Sequence, residues 1–180
     1  MKLPDIYNTK IAIIGIGYVG LPLAMAFANV KKCIKSDKKI KRKIFAFDIN
    51  QSRINELKKG IDITNEFSKD KLTKSSEIIF TNEVDDIISA EIFIITVPTP
   101  INKLNKPDLS LIEKASKDVG YALMKKSNQF DKGIKTPIVI YESTVYPGAT
   151  EEICIPILES KSGLRPVSYT HLTLPTNREV

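Results

Sequence analysis

The stretch Ile11 to Ala24, IAIIGIGYVGLPLA, constrains the fold more than any other part of the chain. An apolar run closes on three glycines and a second apolar run starts at once. That order calls for a buried strand, a tight turn and a helix packed back against the strand. The turn, GIGYVG (15–20), fits the spacing G-x-G-x-x-G. Between strand and helix, Gly15 permits the turn, Gly17 lets a pyrophosphate approach the backbone, and Gly20 allows close helix–strand packing. The helix N-terminus adds free N–H groups and the positive end of its dipole, which suit phosphate. The spacing alone is weak evidence, because a glycine turn can bind nothing. The surrounding elements have to carry the argument.

Those elements alternate. KIAII (10–14), KIFAFDI (43–49), EIIFT (77–81), EIFIITV (91–97) and TPIVIYES (136–143) read as strands. Helices are predicted over 18–30, 51–59, within 82–89, over 108–126, and over 149–159 with an interruption or kink at Pro156. The segment 61–77 reads as irregular, with room for one short helix. In the long helix, Leu109, Ile112, Ala115, Val119, Ala122 and Leu123 recur at three-and-four spacing, and Asp108 or Ser110 can cap its start. Strands apolar throughout, alternating with helices, predict a doubly wound parallel α/β sheet of the Rossmann type, incomplete at its C-terminus.

Ligands of such sheets bind outside the carboxyl ends of the strands. At the end of the second strand stands Asp48, whose carboxylate can accept both ribose hydroxyls and would repel a 2′-phosphate, favouring NAD over NADP. It lies 28 residues after Gly20, against a usual spacing of about 20, and a lysine-rich insertion between helix and strand accounts for the excess. VPTP (97–100) and ESTVYPG (142–148) end two further strands on the same edge. They bring the hydroxyls of Thr99, Ser143 and Thr144 to it, with prolines stiffening each turn. One such hydroxyl would be read as a turn cap; three beside a cofactor loop point to a ligand crevice.

Bulk properties narrow the setting. A chain of 180 residues with 42% hydrophobic and 27% charged residues suits one soluble domain. No apolar run is long enough to span a membrane, and MKLPDIYNTK has no apolar core of a secretory signal. Cys33 and Cys154 can neither staple a fold of this size nor form a four-cysteine zinc site, so a reduced, cytoplasmic protein is expected. The net charge of +6 is concentrated in Lys31, Lys32, Lys35, Lys38, Lys39, Lys41, Arg42 and Lys43. No aromatic residue is interleaved there to stack bases, so the segment reads as a solvated, mobile loop and no nucleic-acid partner is expected.

Taken together, IGIGYVGLPLA, FDIN with Arg53 five residues after the aspartate, VPTP and YESTVYPGATEE resemble the N-terminal NAD domain of the UDP-glucose/GDP-mannose dehydrogenases. The likeness is greatest to their UDP-N-acetylhexosamine branch and runs from about Lys10 to Leu164. The resemblance implies that Gly15, Gly17, Tyr18, Val19 and Gly20 contact NAD, with Asp48 on the ribose. It places Arg53 near the adenosine or phosphates and Thr99 and Ser143 along the cofactor site. Thr144 matches a threonine that holds a catalytic water, whereas Glu142 takes no role from it. The activity implied is oxidation of a UDP-sugar C6 alcohol to a carboxylate with two NAD, in an enzyme that is a homodimer at full length. A cysteine thiolate in a later Gly-His-Cys segment holds the aldehyde-level carbon between the two hydride transfers, supported by a lysine and an asparagine. This sequence has no such segment. Cys154, between Ile153 and Ile155, reads as a packed small hydrophobe, and Cys33 reads as a thiol with no partner to lower its pKa. The rival readings are a non-enzymatic NAD-binding or sensor module and a hydroxyacid-type dehydrogenase sharing only the Rossmann half; YESTVYPGATEE argues against the second.

The C-terminus differs in composition. No lysine follows Lys161 and no isoleucine follows Ile157, and VSYTHLTLPT (167–176) resembles one reading frame of a transposase-derived sequencing adapter. The expected division is therefore a native NAD-binding domain over 1–165 and a non-native tail over 166–180. On that reading His171, the only histidine, takes no catalytic role.

Overall fold

Short runs of isoleucine, phenylalanine and alanine form five strands, and each is parallel to its neighbours. The computed structural model describes residues 3–73, 75, 77–102, 106–127 and 136–165. The elements follow as β1 (Lys10–Ile14), α1 (Gly20–Asn29), β2 (Lys43–Phe47), α2 (Gln51–Lys58), α3 (Lys69–Thr73) and β3 (Ile78–Thr81). After these come α4 (Val84–Ile87), β4 (Ile92–Ile95), α5 (Ser110–Ser127), β5 (Ile138–Tyr141), a π-helical turn (Thr150–Cys154) and α6 (Ile155–Ser162). The sheet order is β3-β2-β1-β4-β5. The chain moves outward from β1 to β3, then crosses back to β4 on the other side of β1, so the switch point lies between β1 and β4.

Strand alternation divides the core in two. Ile11, Ile13, Ile44, Ala46 and Ile94 face α1, packing against Leu21, Ala24, Met25 and Ala28. Ala12, Ile14, Phe45, Phe47, Phe93 and Ile95 face the other way, against Ile112, Ala115, Val119 and Ala122 of α5. Burying each large side chain contributes about 1.5–3 kcal/mol, so both layers are needed to fix the strands. Asp108 caps α5 as expected, its carboxylate accepting the Ser110 N–H at 3.0 Å.

Differences from the sequence reading lie at the element ends. Strands β2, β4 and β5 stop two residues early, because Asp48, Thr96 and Glu142 already turn into the carboxyl-edge loops. Helix α1 begins at Gly20 rather than Tyr18, and Tyr18 and Val19 stand 71% and 55% exposed in the loop. The last helix is interrupted next to Pro156, as expected. It opens as a π-helical turn (Thr150–Cys154) and changes to α-helix at Ile155, so Pro156 falls in the first turn of α6. Gly163, at φ 69°, then ends α6 in the left-handed conformation.

The lysine-rich segment is a folded hairpin rather than a bare loop. Lys32 and Lys39 form an antiparallel bridge, Ile40 is buried, and the Lys41 N–H bonds the Tyr7 carbonyl at 2.7 Å. The same turn corrects the reading of Cys33. It brings Ser36 round to the thiol, and hydrogen bonds from the Ser36 hydroxyl and backbone lower the Cys33 pKa. Cys154 is a buried core residue as expected, and burial pushes its thiol pKa up. The tail 166–180, with His171, lies outside the described residues.

Candidate functional site

The glycines of the first loop divide by what surrounds them. Gly15 has φ +95°, and a Cβ there would lie 2.9 Å from Val97 Cγ1. A Cβ on Gly20 would stand 1.9 Å from the Gly15 carbonyl oxygen and 2.7 Å from Thr96 Oγ1. Gly17 is the opposite case: a Cβ there would meet nothing within 4 Å. Two glycines are therefore demanded by packing, and the middle one opens the loop outward, where a bound pyrophosphate needs room.

The peptide groups between these glycines are held from both sides. The Ile16 N–H donates to Asp48 Oδ2 at 2.8 Å, and the Ile16 carbonyl accepts from Arg53 Nε at 3.1 Å. Asp48 Oδ1 also accepts the Asn50 N–H at 2.9 Å, which fixes the carboxylate beside the loop. Each of its oxygens keeps acceptor capacity for a further donor. Asn50 in turn caps α2, its side chain accepting the Arg53 N–H at 3.2 Å. Arg53 is 5% exposed and its guanidinium lies 2.8 Å from the Asp62 carboxylate, a side chain with no exposure at all. Arg53 thus meets the loop from its buried side. Thr96, also buried, sits with its hydroxyl 2.8 Å from the Gly15 carbonyl oxygen and 3.1 Å from that of Ile14. Asn50, Asp62 and Thr96 were missed in the sequence. A threonine at a strand end signals only β-propensity, and Asp62 stands in a polar stretch without periodicity.

The second wall is built from VPTP and ESTVYPG. The Ser143 hydroxyl donates to the Val97 carbonyl at 2.6 Å, and the Thr99 hydroxyl donates to the Thr144 carbonyl. The hydroxyls thereby tie the two loops together, and Thr144 is exposed at their rim. Glu142 is exposed too, at one end of an open groove of about 660 Å³ shared with Tyr18, Val19 and Pro22 and floored by Ile94 and Ile140. Because Val97 and Thr96 pack against Gly15 and Gly20, both walls belong to one crevice over the β1–β4 switch point.

Residues 9–177 match the UDP-glucose/GDP-mannose dehydrogenase family, NAD binding domain. The chain belongs to this family. It is 47% identical over 158 residues to the UDP-N-acetyl-D-glucosamine 6-dehydrogenase of Pseudomonas aeruginosa, covering 88% of this chain. It is 48% identical over 157 residues to Protein CapL of Staphylococcus aureus, covering 87%. Among solved structures, the UDP-D-ManNAc dehydrogenase from Pyrococcus horikoshii superposes with a TM-score of 0.69 at 29% identity, over 87% of this chain and 33% of that one. The chain spans 32% of the length of the first two relatives. Within the family, whose members are NAD-dependent nucleotide-sugar dehydrogenases, it is the NAD-binding part. The residues present fit that cofactor, with open space at Gly17, the N-terminus of α1 behind it and the Asp48 carboxylate beside it. No described helix is long and apolar enough to cross a membrane.

Proposed function

We propose that this chain is the cofactor-holding part of a nucleotide-sugar 6-dehydrogenase that oxidises the C6 alcohol of a UDP-N-acetylhexosamine to a carboxylate, for polysaccharide precursor synthesis. The observation that carries the reading is Ile16, held at its N–H by Asp48 and at its carbonyl by Arg53, next to the glycine of this loop that opens outward. Gly15, Gly17, Tyr18, Val19 and Gly20 surround the pyrophosphate, and Asp48 takes the adenosine ribose hydroxyls. Arg53 supports the loop from below. Thr99 and Ser143 line the cofactor site, and Thr144 at the rim holds the water that enters the product.

Bound NAD supplies the hydride acceptor. Conversion of the alcohol to a carboxylate removes four electrons as two hydrides and takes in one water oxygen, so a placed water is a requirement of the chemistry. The two free cysteines suit a cytoplasmic, reducing setting. The nucleophilic cysteine and the sugar-reading residues belong to the part of such an enzyme that this chain does not contain, so the chain alone should produce no NADH from a UDP-N-acetylhexosamine.

Titration of the 180-residue chain with NAD and NADP tests the cofactor reading. Saturable binding of NAD, at least tenfold tighter than NADP, is expected, and Asp48→Asn should narrow the difference. Equal affinity for both would remove the role given to Asp48. Sequencing the coding DNA tests the tail: nucleotides over 167–176 that differ from the adapter would make it native.

A further inference from the structure

We propose that Asp62, acting through Arg53, is a positioning residue for the cofactor loop. The inference rests on the reading of the 15–20 loop as the NAD cradle. Three observations lead to it. First, the Arg53 guanidinium is buried, and neither Nη1 nor Nη2 has a well-aligned hydrogen-bond partner among the described residues. A desolvated cation of this kind is tolerable only beside an opposite charge, and the carboxylate that pairs with it is Asp62, at 2.8 Å. Second, the Nε–H of that guanidinium donates to the Ile16 carbonyl, inside the loop. Third, Asp62 is itself rigidly placed. Its Oδ1 accepts the Thr64 N–H at 3.1 Å and the Thr64 hydroxyl at 2.7 Å; its Oδ2 accepts the Glu66 and Phe67 N–H groups at 2.9 and 3.1 Å.

The result is a chain of fixed groups from the turn after α2 to the loop before α1: turn amides, Asp62, Arg53, the Ile16 carbonyl. In the preceding peptide, Asp48 holds the Ile16 N–H. With both ends gripped, the Ile16–Gly17 backbone has one orientation before any ligand arrives. An arginine close to a phosphate site would ordinarily be assigned to the anion, and here its burial against Asp62 assigns it to the backbone.

The first test needs no substitution. In the ¹⁵N-labelled 180-residue chain, the Arg53 Nε–H should exchange slowly with water and remain hydrogen-bonded when NAD is saturating. Its release on NAD addition would overturn the proposal, since Arg53 would then leave the loop for the ligand. Separately, Asp62→Ser keeps an acceptor for the Thr64 N–H but removes the charge. It should weaken NAD binding about tenfold, and Arg53→Lys by a similar factor. The double variant should be no weaker than the weaker single one, because both changes break one connection. A lowered melting temperature with unchanged NAD affinity would mean that the pair only stabilises the fold, and would also overturn the proposal. Should Asp62→Ser fail to fold, the Arg53 exchange measurement decides alone. Failure of the unaltered chain to bind NAD would instead sink the cofactor reading, a result distinct from either.

Discussion

The two walls of the crevice are built on opposite plans. The glycine wall is packed from behind: Gly15 and Gly20 leave no space for a methyl group, and Ile16 is held at both its N–H and its carbonyl. The strands beneath it, β1 and β2, are buried at four of five positions each. The hydroxyl wall stands on β4 and β5, of which β5 is half-buried at every position, and its loops are joined by two side-chain hydrogen bonds. One wall is rigid before a ligand binds, and the other can adjust around it. This division suits a site in which phosphate and ribose always dock the same way while chemistry proceeds at the rim.

The sharpest way to break the comparison is within the glycine wall. Gly20→Ala drives a methyl into the Gly15 carbonyl and should cost about 3 kcal/mol in urea unfolding. Gly17→Ala meets open space, so its stability should stay within about 0.5 kcal/mol while NAD affinity falls at least tenfold. Equal stability losses in the two variants would contradict the packing described.

A smaller effect follows from Asp62. Burial raises its pKa, but hydrogen bonds from Thr64 and Arg53 and from the Thr64 and Phe67 backbone outweigh this and hold it at about 2, below the ordinary 3.8. The unfolded chain therefore binds a proton more readily than the folded one. The contribution is complete above about pH 4 and is lost as pH falls towards 2. Acid titration of the melting temperature should show this slope, and Asp62→Ser should flatten it. The smallest change is expected in the hydroxyl wall: Ser143→Ala removes one bond to the Val97 carbonyl and should cost about 1 kcal/mol of stability. A loss as large as that of Gly20→Ala would show the second wall to be as rigid as the first.

What was legible in the sequence follows the same division. Continuous apolar runs bounded by polar or turn-forming residues located β1 to β5 and made the sheet parallel, since both faces had to be covered. Gly15, Gly17, Gly20 and Asp48 were visible because they recur at fixed distances from strand ends. Contacts made only by folding left no local trace. Asp62 lies nine residues from Arg53 and faces it only because α2 ends at Lys58 and the chain turns back. Thr96 lies 81 residues from Gly15 along the chain. The Cys33–Ser36 contact depended on a hairpin in a segment whose charge suggested solvent.

The double grip on Ile16 carries a lesson for redesign. Replacing Asp48 to admit a 2′-phosphate looks like an edit to a single ribose contact. The same carboxylate is the acceptor for the Ile16 N–H, so an apolar replacement would deform the glycine loop along with the proposed ribose contact. On the proposed reading, cofactor preference and loop shape depend on one side chain, and a variant that changes the first must supply a neutral acceptor at position 48 to keep the second.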